Sequence, residues 1–216
     1  MKLLSMQFNM PIRFLQRANL DMVERVVVAS GLFVLAWRYI PVILETASLI
    51  SILLLASEAM VVVFVLFRRR TQNISVRPGD WLVGLLGTTA PLLAIPYSGT
   101  ALVPAGLVGV LMVLAFVLQL SAKLTLRRSF GVVAANRGVK ISGPYRLVRH
   151  PMYAGYILTH IAILLAGPNL WNVLVYGFAF AMQLLRITAE ERILSQDSAY
   201  GTFALAVPYR LLPHVY

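Results

Sequence analysis

The chain has 216 residues, of which 59% are hydrophobic and only 12% charged, and its mean hydropathy is +0.80. Soluble domains carry about 25% charged residues, so this composition excludes an ordinary large-cored soluble protein and indicates a polytopic membrane protein. The net charge of +11 reads as basic loops facing anionic lipid rather than nucleic-acid binding, because Lys and Arg gather at the ends of apolar segments; the absence of cysteine excludes disulfides, thiolate metal sites and cysteine nucleophiles.

Residues 1–20 lack the apolar core and small-residue cleavage site of a signal peptide. Six apolar segments then follow in order: about Val26–Leu44, Ala47–Phe67, Trp81–Ile95, Ala101–Ala122, Met152–Ala166 and Leu170–Leu185. They predict an all-α fold, a polytopic bundle of about six transmembrane helices. The second and fourth are long enough to cross a hydrocarbon core, whereas the third and fifth are short. The third carries "GTTAP", which implies a kink that neighbouring helices must satisfy.

With the N-terminus inside, all but one of the 19 Lys and Arg residues fall within 1–25, 68–80, 123–151 and 186–216. This asymmetry predicts a multi-pass protein of the plasma membrane, or of the inner membrane in a prokaryote, with both termini cytoplasmic. The exception, Arg38, is expected to snorkel outward toward Glu45. The run Arg68, Arg69, Arg70 is expected to serve topology or lipid contact. The outer connections are too short to fold, so aqueous chemistry is expected on the loop 123–151 and the tail 186–216. The chain divides accordingly into residues 1–122, holding transmembrane helices 1–4, and residues 123–216, a catalytic part with helices 5 and 6. No internal repeat is visible, which disfavours an inverted-repeat transporter.

Three polar clusters converge on the inner face. The first is the glycine-bearing loop "LRRSFGVVAANRGVKISGPYRLVRHP". The second is "RHPMY", where Pro151 suits the first turn of a helix whose free N–H groups can receive an anion. The third is "LRITAEER", in which Arg186 and Glu190 share a helix face. Helices 5 and 6 are joined by a tight turn, so they are antiparallel neighbours and the second and third clusters must lie close together. Charge alone would suit a solvated topology signal. It leaves Gly-Pro-Tyr, His-Pro and two further tyrosines unexplained.

"GPYRLVRHPMYAGY", then "EERIL", then "AYGTFALAVPYRLLP", resembles the isoprenylcysteine carboxyl methyltransferase family, within a wider membrane methyltransferase group that includes phospholipid N-methyltransferases. The resemblance covers roughly residues 120–213. It implies S-adenosyl-L-methionine bound between the loop and the ends of the last two helices. It implies that Val139 and Lys140 line this cofactor through their backbone, and that Tyr145, His150, Pro151, Met152 and Tyr153 enclose it. Glu190 holds one of its polar ends, Arg186 lies toward the acceptor, and Arg149 positions the loop through Glu190 or Glu191; these three are the expected catalytic residues. Tyr200 and Phe203 stand where the family often has two tyrosines, and Arg210 matches a basic position able to cap the site.

Methyl transfer from a sulfonium needs only positioning and stabilisation of the acceptor's nucleophilic form. No metal is required and no metal-ligand spacing is present. An arginine can clamp a carboxylate acceptor in bidentate fashion, whereas an amine needs a base. Arg186 therefore favours carboxyl O-methylation of a membrane lipid or small amphiphile. N-methylation of a phospholipid and S-methylation of a thiol are the alternatives, followed by an NADPH-dependent sterol-type reductase and a non-enzymatic scaffold or transporter. Glu58, in mid-segment, is expected either as a protonated hydrogen-bonding residue or as part of an acceptor tunnel; its depth disfavours a pair with Arg38. His160 and the methionines Met152 and Met182 are expected to be packing residues. Oligomeric state is not legible.

Overall fold

The computed structural model describes the backbone of residues 2–69, 71, 73–95 and 99–216, and the side chains from residue 22 onward. Seven α-helices account for most of it: α1 Lys2–Thr46, α2 Leu49–Phe67, α3 Pro78–Thr89, α4 Ala105–Leu126, α5 Pro151–Ala166, α6 Leu170–Leu194 and α7 Ser198–Ala206. No strand occurs among the described residues; one antiparallel bridge joins Ile74 to Ala135. Helix starts follow local chemistry. Ser48, Asn169 and Asp197 each accept a backbone N–H from the turn they cap, and Pro78 and Pro151 stand at the first helical position.

Among the described residues, four helices are long and apolar enough to cross a membrane, over Met22–Thr46, Leu49–Phe67, Ala105–Ser129 and Leu170–Leu194. The two short segments stay short. α5 has 16 residues, and the third apolar segment is a 12-residue helix that tightens into a 3-10 turn at Ala90–Leu93. A bilayer needs about 20 helical residues; four of the six expected segments form helices of that order, and the third and fifth are the short ones, as their sequence length implied.

Arg38 explains how the short third helix ends. Its guanidinium donates to the carbonyls of Leu92 and Ala94, the latter at 2.7 Å, and so satisfies the open end of the 3-10 turn. The expected excursion toward Glu45 is replaced by this inward bond. Asn172 of α6 adds a second tie, accepting from Ile95 N–H at 2.8 Å and donating to its carbonyl at 2.9 Å.

The main core joins α1, α2, α4, α5, α6 and α7 around Val28, Val61, Ala122, Tyr153, Ile187 and Phe203. Inside it lies a polar network. Lys123, fully buried, donates to the Ser57 carbonyl (3.0 Å), the Ser57 hydroxyl (3.1 Å) and Gln119 Oε1 (3.4 Å), and Gln119 donates to Thr159 at 2.9 Å. Lys123 begins the stretch expected as a loop, but α4 continues past it, so it belongs to the bundle interior. It also supplies the charge felt by Glu58.

α4 and α5 cross closely at Gly155, where a Cβ would stand 2.6 Å from Gln119 Cγ and 3.2 Å from the Ala115 carbonyl. Gln119 is fixed by the polar network and has no freedom to yield. Gly155→Ala is therefore expected to destabilise the bundle by about 1–3 kcal/mol, read as a lower unfolding temperature in detergent.

Candidate active site

The basic ends of α4, α5 and α6 enclose a cavity of about 710 Å³ lined by the loop 129–140, Tyr145, Arg149, His150, Met152, Tyr153, Glu190, Leu194, Tyr200 and Phe203. Behind it, at bundle depth, lies a second cavity of about 780 Å³. Its walls include Tyr39, Glu58, Thr88, Tyr156, His160, Tyr176, Gln183 and Arg186. What divides them is one stretch of chain without regular structure. Phe130 and Val132 line the second cavity, while Gly131, Val133 and Ala135 line the first. The stretch bends at Val132 and Val133, and its alternate residues serve opposite cavities.

Arg186 stands at this partition and is 4% exposed. Its Nε bonds Glu190 Oε1 at 3.3 Å, Nη1 bonds Thr88 Oγ1 at 3.3 Å, and Nη2 donates to the Gly131 carbonyl at 3.0 Å. The guanidinium carbon lies 5.1 Å from the centre of the Tyr153 ring, within cation–π range. The Tyr153 hydroxyl donates to the same Glu190 oxygen. Glu190 thus faces the first cavity while its i−4 neighbour Arg186 faces the second. Tyr156, one turn beyond Tyr153, lies within electrostatic reach of both Glu58 and Arg186.

A second carboxylate organises the rim. Glu191 Oε1 takes His150 Nε2 at 3.1 Å and Arg149 Nη1 at 3.3 Å, and its Oε2 takes Arg210 Nε and Nη2 at 3.0 and 2.8 Å. Backbone bonds run in parallel, from Arg149 N–H to the Tyr209 carbonyl and from His150 N–H to that of Arg210. The C-terminal segment is thereby strapped onto the start of α5. Of the two acidic partners open to Arg149, the structure selects Glu191.

Most residues expected at the cofactor gather in the first cavity: Val139, Lys140, Tyr145, Arg149, His150, Met152, Tyr153 and Glu190. Pro151 does not. It opens α5 and faces an apolar groove on the opposite side of the helix, because the first helical turn carries it away from its neighbours. Arg186 and Glu58 share the second cavity. His160 stacks on Tyr176, with ring centres 4.5 Å apart. Tyr200 and Phe203 meet edge to face at 5.8 Å. Burial, reinforced by nearby Glu190, pushes the Tyr145 hydroxyl well above the ordinary phenol range, so it remains protonated and able to donate. Among the described residues, no group of three or more acidic or histidine side chains could hold a metal.

Several site residues were not anticipated. Arg68, expected at the lipid surface, is 3% exposed and bonded to Glu24, itself fully buried. Asn136 donates to Asp197 at 2.9 Å, and this bond with that of Ala199 N–H holds the Asp197 carboxyl below its usual range. Gln183 has a buried carboxamide oxygen without a partner among the described residues. The Arg68–Glu24 and Asn136–Asp197 bonds join segments far apart in sequence, so local spacing carries no signal for them.

The fold and site define a class: a helical membrane protein with a polar cavity at its basic end, backed by a second cavity at bundle depth. Residues 97–202 match the family model of phospholipid methyltransferases, a family of the membrane methyltransferase group that includes isoprenylcysteine carboxyl methyltransferase-like proteins. The match runs from before α4 through the partition, α5 and α6 into α7. No curated protein matches the chain.

The Glu191 hub yields a direct test. Glu191→Gln is expected to cost about 1–3 kcal/mol and to speed hydrogen exchange at residues 207–216 and at the Arg149 and His150 amides, with α4 unchanged.

Proposed function

We propose that the protein is an S-adenosyl-L-methionine-dependent methyltransferase of the membrane, with the donor in the first cavity and the polar head of a lipidic acceptor in the second. The observation that carries this reading is the pairing of Glu190 and Arg186 across one thin partition. The family match supports methyl transfer as the chemistry. Bound cofactor would supply an already activated methyl group, so the chain's own work is to bind, orient and exclude water.

The donor set of the first cavity fits this cofactor. Lys140, Arg137 and Arg149 suit a carboxylate, Glu190 suits an ammonium, and Tyr145, Tyr200 and Phe203 offer ring faces to a base. Tyr153 and Arg186 hold Glu190 in one orientation. In our reading the basic rim is cytoplasmic, both termini lie on that side, and residues 123–216 form the catalytic part.

Arg186 presents its charge to the second cavity and would orient a carboxylate there, which supports carboxyl O-methylation. A second reading rests on Glu58. Its carboxylate lines the same cavity and makes no hydrogen bond to a described residue, so it would take a proton from an amine head, giving phospholipid N-methylation. Each of the three guanidinium nitrogens of Arg186 already has a protein partner, which leaves less of it for a bidentate clamp and gives the second reading its weight.

Two measurements test the proposal. S-adenosylhomocysteine is expected to bind the purified protein and NADPH is not; binding of NADPH alone would support a reductase, and binding of neither a scaffold. With methyl-labelled cofactor in nanodiscs of native lipid, O-methylation gives a product that releases labelled methanol in base, whereas N-methylation gives a base-stable one. Glu190→Gln is expected to weaken cofactor binding about tenfold or more, the loss of one charge-assisted contact. Arg186→Ala is expected to remove turnover and leave cofactor binding largely intact.

A further inference from the structure

The first three helices lie outside the stretch that matches the family model, yet one of their side chains reaches the partition. Glu24 of α1 is fully buried. Its Oε1 accepts from two successive backbone amides, Val132 N–H at 2.6 Å and Val133 N–H at 3.2 Å, and from the Arg68 guanidinium at the end of α2. These two amides lie in the stretch whose alternate residues line opposite cavities. The carbonyl one residue earlier, on Gly131, receives Arg186. A continuous path therefore runs from Arg68 through Glu24 and the backbone of 131–133 to Arg186 and Glu190.

Packing leaves this stretch little room to relax. A Cβ on Gly84 of α3 would stand 3.0 Å from the Val132 carbonyl, and one on Gly131 would overlap the Arg137 guanidinium at 2.2 Å. The partition is pressed from α3 on one side and from Arg137 on another, and Glu24 sets its height. A buried ion pair is a poor source of stability, since apolar residues of similar volume often serve as well or better. An arrangement that retains one here, and directs the carboxylate at two backbone amides, calls for another explanation.

We propose that the Glu24–Arg68 pair is a positioning device for methyl transfer: it fixes the register of the partition and so the relative placement of Arg186 and Glu190 between the two cavities. The inference rests on the two-cavity reading above. Glu24 touches neither cavity, so it acts through the backbone of 131–133 and is not itself catalytic. Displacements near 1 Å remote from the reacting atoms can cost up to about a hundredfold in rate, which sets the scale of the effect.

The test uses the full chain in nanodiscs and the double substitution Glu24→Gln with Arg68→Met. The single substitutions are avoided because each strands a buried charge. The double variant keeps an acceptor for both amides, but a neutral and weaker one, and is expected to unfold near the wild-type temperature. Its kcat is expected to fall about tenfold or more, with affinity for S-adenosylhomocysteine changed by less than about threefold, a split that loss of fold alone does not produce. A stable double variant turning over at the wild-type rate would overturn the positioning role, as would a rate loss matched by equal loss of stability and cofactor binding. A wild-type protein that transfers no methyl group would overturn the two-cavity reading and this inference with it.

Discussion

A guanidinium held within a membrane bundle is costly unless every side of it is answered, and Arg186 is answered from four directions. Thr88 comes from α3, the Tyr153 ring from α5, Glu190 from its own helix and the Gly131 carbonyl from the loop between α4 and α5. None of these contacts can be moved alone. The guanidinium thus sets the spacing of α3, α5 and α6 and the depth of the loop between them. Glu190 inherits the constraint, since it is gripped by Arg186 and Tyr153 together and has little freedom to turn from the first cavity.

The loop itself poses a second problem. Chain without regular structure leaves backbone N–H and C=O groups that burial does not tolerate unpaired. The partition meets this with partners from distant segments. Glu24 takes two amides, Arg186 takes a carbonyl, and the segment 69–75 adds backbone bonds from Arg69 to Arg128 and from Ser75 to Ala134. A helix would satisfy its own backbone but would be about 10 Å thick with side chains, too broad for groups on its two sides to act on one another. A single pass of irregular chain braced from outside is thin enough, and the cost is the set of buried charged residues that brace it.

What was legible beforehand follows this distinction between local and distant chemistry. Tyr145, His150, Met152, Tyr153 and Glu190 lie within the short stretches that carry the family resemblance, and Arg186 and Glu190 are related by the helical repeat. The short outer turn between α5 and α6 made their convergence readable. Glu24, Arg68, Lys123 and the inward bonds of Arg38 were not readable, because each answers a partner 44 or more residues away. A lysine or arginine near the end of an apolar run has the same sequence appearance whether it faces water or is sealed inside the bundle. The short third segment was legible too: "GTTAP" marks the point where α3 gives way to a 3-10 turn.

The two cavities draw on the chain unequally. The first is lined wholly by residues from Leu126 to Phe203, almost all inside the stretch that matches the phospholipid methyltransferase family. The second takes about half of its wall from α1, α2, α3 and the 3-10 turn after α3, including Leu35, Tyr39, Leu54, Glu58, Thr88 and Leu92, all outside that stretch. Under the proposed function the donor side is thus built from the part of the chain that carries the family pattern, and the acceptor side half from the part that does not. Such a division lets the acceptor chamber change shape and charge through α1–α3 while the donor chamber keeps its residues, provided one element remains common to both. The partition is that element, and its braces come from either part: Arg186 from α6, Glu24 and Arg68 from α1 and the end of α2. A change in the first helices therefore has two distinct routes to altered chemistry. One passes through the walls of the second cavity and alters which head group fits; the other passes through the braces and alters how well any head group meets the donor.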